Sequence, residues 1–302
     1  MSGPQASLLS DGRRLHLNHG PIDLIVEAFG LPEERKKAYA QAIDRFQTIL
    51  TELVAELPDL RKRAHLDPRP FAGTIARRME AAVSRLSSVF ITPMAAVAGA
   101  VAEEVLAALI AGRRLDRAYV NNGGDIALWL APGRSLGLAI AGTGHGLSDR
   151  VEIGSGDKVR GVATSGWRGR SFSLGIADAV TVLARTAAGA DAAATVIANA
   201  VDLPGHPGIA RTPARLLAPD SDLGDRLVTT GVSGLSAKDV AVALGRGLAV
   251  AEELRGCGLI EAAALFLDGE SRVCGRIRDA APIPFSTGHL NASKTNPERH
   301  HA

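Results

Sequence analysis

Residues 161–180 read GVATSGWRGRSFSLGIADAV, and the fold turns on how they divide. Gly161-Val162-Ala163-Thr164 is a β-like run that breaks at Ser165-Gly166, and a second β-like run begins near Ile176. Short apolar runs bounded by glycine, serine and arginine read as strands, and these two are apolar enough to be buried. The loop between them holds Thr164-Ser165-Gly166, Arg168 and Arg170. Hydroxyls, a flexible glycine and a guanidinium at a strand end can hold phosphate oxygens. A solvated loop accounts for the same residues.

Working toward the N-terminus, Leu136–Ala141 and Val151–Ile153 are strands that flank the turn GTGHGLSD. Gly142-Thr-Gly144-His-Gly146 leads into another strand-like segment and so reads as a glycine-rich hairpin, not a dinucleotide loop. Tyr119-Val120 and Ile126–Leu130 flank Asn121-Asn122-Gly123-Gly124-Asp125, a strong hairpin signal. The stretch from Thr92-Pro93 to Gly112 is a helix rich in small residues, with an N-cap threonine followed by proline. Before it come helices at about 75–87 and at 33–57, the latter with apolar positions at helical spacing from Ala40 to Leu53. Arg13–Ala28 forms two short strands around Gly20-Pro21.

Toward the C-terminus, Ala177–Leu183 extends the sheet and Thr186 opens a helix, TAAGADAAATVIANAV. Residues 202–225, rich in Pro and Asp, read as an irregular excursion. Ser236 and Asp239 form a capping box for a helix to about Arg255. Leu259–Leu267 and Ser271–Cys274 are a closing hairpin through Asp268-Gly269. Helices and strands interleave without βαβ regularity, so the fold class is α+β, with mixed or antiparallel sheets packed against helices. The expected organisation is one domain over residues 1–288 and a disordered tail over 289–302.

Bulk properties narrow the function. The chain has 302 residues, 46% hydrophobic but only 4% aromatic, so Ala, Val, Leu and Ile must build the core. Its net charge is +2 and its arginines are spread out, which argues against nucleic acid as a partner. Cys257 and Cys274 read as free thiols. The N-terminus has no apolar core of a secretory signal, and Glu103-Glu104 interrupt the most apolar stretch, so the expectation is a cytoplasmic protein with no membrane partner.

Chemistry enters through spacing. Asp191, Thr195 and Asn199 lie four apart and share one helix face. A carboxylate and a hydroxyl one turn apart suit Mg²⁺, which binds few carboxylates and often shares its shell with phosphates. Equally, Asp191 can favour the helix N-terminus while Thr195 bonds its own backbone. Asn122-Gly123-Gly124-Asp125 is sufficient as a turn, and its backbone amides could also meet a phosphate or a ring edge.

Taken in order, these fragments resemble the ApbE family, the FAD:protein FMN transferases. The matching segments are Val97-Ala98-Gly99-Ala100, Asn121–Asp125, Ala163-Thr164-Ser165-Gly166 and Asp191-Ala-Ala-Ala-Thr195, within a resemblance running from about Gly20 to Val201. The uncharacterised UPF0280 branch shares the Ala177-Asp-Ala-Val-Thr-Val182 run. The resemblance implies an ApbE-like fold holding FAD or FMN beside Mg²⁺. Asp191 and Thr195 would be metal ligands, with a main-chain carbonyl near Val97. Asn122, Gly123, Gly124, Asp125, Thr164, Ser165, Gly166, Arg168 and Arg170 would line the nucleotide. The implied chemistry is transfer of FMN from FAD to an acceptor protein, or FAD hydrolysis.

The transferase pattern follows Thr-Ser-Gly with a histidine-bearing segment; here the loop is Arg170-Ser171-Phe172-Ser173-Leu174. Arginine stays protonated and is a poor general base. Ser171 and Asp178 remain as catalytic candidates. The expectations are therefore a flavin-handling protein with weak transferase or hydrolase activity, a non-catalytic module that delivers or senses a cofactor, or another enzyme on the same scaffold. Trp129, Trp167 and Tyr119 are either flavin platforms or core packing. A homo-oligomer is compatible with the sequence.

Overall fold

A computed structural model describes residues 3–139 and 150–276. The chain opens with β1 (Gln5–Leu8), β2 (Leu15–His19) and β3 (Ile22–Gly30). Helices α1 (Pro32–Leu60) and α2 (Thr74–Ser84) follow, then a 3-10 turn, Pro93–Ala96, that runs into α3 (Val97–Ile110). Strands β4 (Leu115–Asn122), β5 (Asp125–Leu130), β6 (Ser135–Ala139), β7 (Arg150–Gly154), β8 (Gly161–Ser165) and β9 (Ala179–Ala184) come next. Helix α4 (Ala187–Ala200), β10 (Ile209–Pro213), α5 (Ala214–Leu217), β11 (Leu227–Val232), α6 (Ala237–Gly256), β12 (Ala262–Leu267) and β13 (Glu270–Gly275) complete it. The glycine-rich turn at 142–146 and the C-terminal tail lie outside the described residues.

Nine strands form one sheet in the order β1-β2-β3-β4-β5-β8-β9-β12-β13. Every neighbouring pair is antiparallel. Strand alternation gives the sheet two working faces. Ala127, Ala163, Val182 and Ala263 point to the main core beneath the helices. Leu128, Val162, Leu183 and Ala262, their chain neighbours, point the other way into a smaller core capped by the β6–β7 ladder. Helices on one face and a hairpin on the other make this an α+β fold, as its sequence predicts.

The Ala-rich helices lie close together. A Cβ on Gly99 of α3 would sit 2.3 Å from the backbone oxygen of Ala187, so only glycine allows α3 and α4 this contact. The two helices also cap each other. Glu103 of α3 accepts from the Ala188 amide (2.8 Å) at the start of α4, and Asp191 of α4 accepts from the Gly99 amide (3.0 Å) at the start of α3. These are backbone donors that a helix terminus leaves unpaired. Glu104 is held by Arg45 (2.9 Å) and Thr74 (2.8 Å). Pro93–Ile110 is the one segment among the described residues long and apolar enough to cross a membrane, with a mean hydropathy of 1.7; half of it is buried in the protein. Its two glutamates are spent on neighbouring core elements, as in a core helix.

Three expectations need correction. Thr92 does not cap its helix through the side chain; its hydroxyl donates to Asp222 instead. The excursion at 202–225 contains β10 and α5, and β10 pairs with β11 in a separate ladder. Its bulge at Ala210/Arg211 and its prolines hide the strand period. β1 was not expected at all: its four residues are exposed and carry no apolar alternation.

Candidate functional site

The ends of β4 and β8, the start of β5, the start of α3 and the middle of α4 converge on a cavity of about 740 Å³. The β4–β5 connection builds one wall. Asn122 pairs with Asp125, leaving Gly123-Gly124 as a two-residue turn with φ of +66° and +118°, which favours glycine at both positions. Asn122 is buried and donates from Nδ2 to the Ala98 carbonyl (3.2 Å), which fixes the turn to the start of α3. Gly124 does not line the cavity, and its amide donates to Asn121 Oδ1 (2.8 Å). The turn therefore has one fewer amide for a ligand than its sequence suggests. Gly123 does line it, and a Cβ there would meet Nη2 of Arg170 at 2.0 Å.

Asp125 and Asp191 form the floor. The Thr164 amide donates to Asp125 Oδ1 (3.2 Å) across the β5–β8 pair. Desolvation pushes the Asp125 carboxyl up to about 7, against the opposing pull of that amide and of Arg170. Asp191 is pushed well above the ordinary carboxylate range, first by desolvation and then by the nearby Asp125 charge. These two acids are 66 positions apart in sequence, so only the fold could reveal them as a pair. Thr195 and Val97 also line the cavity. The third member of the α4 face, Asn199, accepts from the Leu174 amide (2.8 Å) and faces Ser173 Oγ (3.2 Å), so it anchors the 171–175 loop.

The stretch that opened the sequence reading forms the opposite wall. Thr164, Ser165, Gly166, Arg168, Arg170 and Ser171 all line the cavity. The Thr164 hydroxyl is paired with Thr181 (2.9 Å), so Ser165 is the residue of that pair whose hydroxyl is left for a ligand. Asp178 lies elsewhere. Its carboxylate accepts from Trp167 Nε1 (3.2 Å) and the Asp268 amide (2.7 Å) and pairs with Arg168 (2.5 Å). Asp178 thus braces the loop against the β12–β13 hairpin and does not line the cavity.

The sequence reading missed the far rim. Ala218, Asp220, Ser221, Asp222 and Leu223 close the cavity from the excursion, held by the Thr92–Asp222 bond. The Asp-Ser-Asp run was the available signal, but its partner lies 130 residues away. Trp129, Trp167 and Tyr119 do not line the cavity. Trp129 packs on the main core, Trp167 carries Arg168 over its face at 4.8 Å, and Tyr119 donates to Glu27 (3.0 Å).

Among the described residues, four carboxyl groups, those of Asp125, Asp191, Asp220 and Asp222, therefore face a cavity whose cations are Arg168 and Arg170, the first already paired. The carboxyl of Asp191 and the hydroxyl of Thr195, which line the same cavity, are hard oxygen donors of the kind that suits Mg²⁺. Among the described residues no cluster of three or more His, Cys, Asp or Glu could hold a metal alone. Mg²⁺ does not need one, because it keeps waters and shares phosphate oxygens.

An α+β scaffold with an acidic floor, a Gly-Gly turn and a Thr-Ser-Gly strand end defines an ApbE-like class of protein. A family model described as AbpE bacteria matches residues 6–273, and the chain belongs to that family. The match extends well past Val201, where the motif resemblance loosens. Curated relatives are UPF0280 proteins. One from Methanopyrus kandleri is 37% identical over 55% of this chain and 66% of its own length. Another, from Methanothrix thermoacetophila, is 42% identical over 38% and 48%. The chain thus spans about half to two thirds of these relatives. Two solved structures are also similar. A variant of the flavin transferase ApbE from Vibrio cholerae has a TM-score of 0.45 at 13% identity, covering 90% of this chain and 97% of that one. The ApbE protein of Thermotoga maritima has 0.46 at 12%, covering 91% and 97%.

Proposed function

We propose that this protein binds a flavin nucleotide, or a related phosphate-bearing ligand, together with Mg²⁺ in the cavity between α3, α4 and the β8 strand end. The carrying observation is the crowding of acids in the site: among the described residues four carboxyl groups face one guanidinium without an ion-pair partner, and two of them, Asp125 and Asp191, are too desolvated and too close to ionise together without a cation. An anionic ligand enters such a site only with a cation that offsets both charges. Asp191, Thr195 and a main-chain carbonyl of the Val97 segment would hold Mg²⁺, which would orient a pyrophosphate and offset its charge. Ser165, the Gly166 backbone and Arg170 would meet the phosphates. FMN transfer would break the FAD pyrophosphate, join FMN to an acceptor hydroxyl and release AMP. Among the described residues no histidine lines the cavity. That favours weak turnover, and it supports a second reading as a non-catalytic module that delivers or senses the cofactor. Two free cysteines fit a cytoplasmic setting.

The test is a titration of the purified protein with FAD, with and without Mg²⁺, followed by flavin and tryptophan fluorescence. Mg²⁺-dependent binding, abolished in Asp191→Asn, supports the reading; affinity that ignores Mg²⁺ removes it. Release of AMP in the presence of acceptor proteins then separates the enzyme from the module.

A further inference from the structure

In a chain so poor in aromatics, one ring stands apart. Phe172 is 38% exposed and, among the described residues, is the single aromatic lining the cavity. The other described aromatic side chains are accounted for. Tyr39, Phe46 and Phe71 are buried in the main core, and Phe266 packs on the smaller one. Phe29 lies under Arg117 and Phe90 under Arg226. Phe172 has neither a core position nor a cation over its face.

Its position is built, not incidental. The next residue, Ser173, is buried, and its carbonyl accepts from the Thr229 amide (2.9 Å) while its hydroxyl accepts from the Gly175 amide (3.2 Å). Asn199 of α4 holds Leu174 (2.8 Å), and Arg211 of β10 donates to the Leu174 carbonyl. Three elements thus pin the chain directly behind an exposed ring. Phe172 also follows Arg170 by two residues, at most about 7 Å along the chain. A sugar or polyol linker of that reach separates a planar ring from its first phosphate.

Resting on the phosphate-and-Mg²⁺ reading of the same cavity, we propose that Phe172 is the stacking face for a planar heteroaromatic ring. The ligand is then a ring-bearing nucleotide rather than a simple phosphate or pyrophosphate. A ring carried on a backbone that its neighbours already pin loses less freedom on binding than one on a free loop, which favours a productive stack.

The experiment measures affinities of the full chain in Mg²⁺ for FMN, ADP and pyrophosphate, comparing wild type with Phe172→Ala and Phe172→Tyr. Loss of one stacked base costs on the order of tenfold in affinity. We expect Phe172→Ala to weaken the ring-bearing ligand about tenfold, leave pyrophosphate within about twofold, and abolish the absorption shift of bound FMN. Phe172→Tyr should restore both affinity and shift. FMN and ADP arms show which ring is stacked. Equal losses for pyrophosphate and nucleotide, or no loss at all, overturn the role of Phe172 and leave the phosphate site standing. Failure of wild type to bind either ring-bearing ligand overturns the role of Phe172 even where pyrophosphate binds; failure to bind all three overturns the underlying reading as well.

Discussion

At the scale of single residues, Asp125 and Asp191 govern the site. Both are pushed up by desolvation, and their charges repel. In a chelator, with Arg170 the one cation among the described residues that acts on Asp125, the folded state keeps protons that the unfolded chain gives up. Asp125 goes from an ordinary value of 3.8 to about 7. A raised folded value contributes stability that is present at low pH and is lost as pH climbs through that window. Thermal melts in chelator should therefore show stability falling between pH 4 and pH 7, and Mg²⁺ should restore it most at the upper end. A flat profile in chelator would mean that the two carboxylates are better solvated than the geometry implies. Asp191→Ala should also lower stability by about 1–3 kcal/mol, because it leaves the Gly99 amide without its acceptor. The motif residues themselves were legible in the sequence, since each sits at a fixed offset from a glycine or a helix start. Their pairing was not, because Asp125 and Asp191 meet only through the docking of β5 beneath α4.

Among the elements, α3 and α4 behave as one unit because each supplies the acceptor that the other's first turn lacks. Glu103→Ala should cost about 1–3 kcal/mol by stripping the Ala188 amide of its partner, read as a lower denaturant midpoint. Gly99→Val should cost at least as much, since the new side chain meets the backbone of Ala187 and forces the helices apart. It should also weaken any Mg²⁺ response, as Asp191 moves with α4. Ser236→Ala serves as the contrast. Its capping box was read directly from the sequence and is present in the structure, remote from the cavity. Its loss should cost about 1 kcal/mol and leave ligand affinity unchanged. Hairpins with glycine turns and capped helices were legible because their signals are local. β10 escaped notice because its partner lies across a long connection, and β1 because nothing covers it.

On the scale of the whole molecule, a shared core under α1–α4 and α6 supports the reading of one domain. That reading predicts a single calorimetric unfolding transition, and two resolved transitions would break it. The far rim is a smaller, separable feature. Thr92→Val should raise amide exchange over residues 218–226 while exchange in the nine-stranded sheet stays unchanged. The order of that sheet has one more consequence. Spatial order follows chain order from β1 to β13, with β6–β7 and β10–β11 set aside as separate ladders. No strand must be inserted between two that are already paired. A nascent chain can add each strand to the growing edge, and the long helical insertion between β3 and β4 adds little to the entropy of closure. The brace on the Trp167-Arg168 loop comes from Asp178, whose own anchor is the Asp268 amide in the final hairpin. Docking of that hairpin therefore completes the brace on this wall of the site.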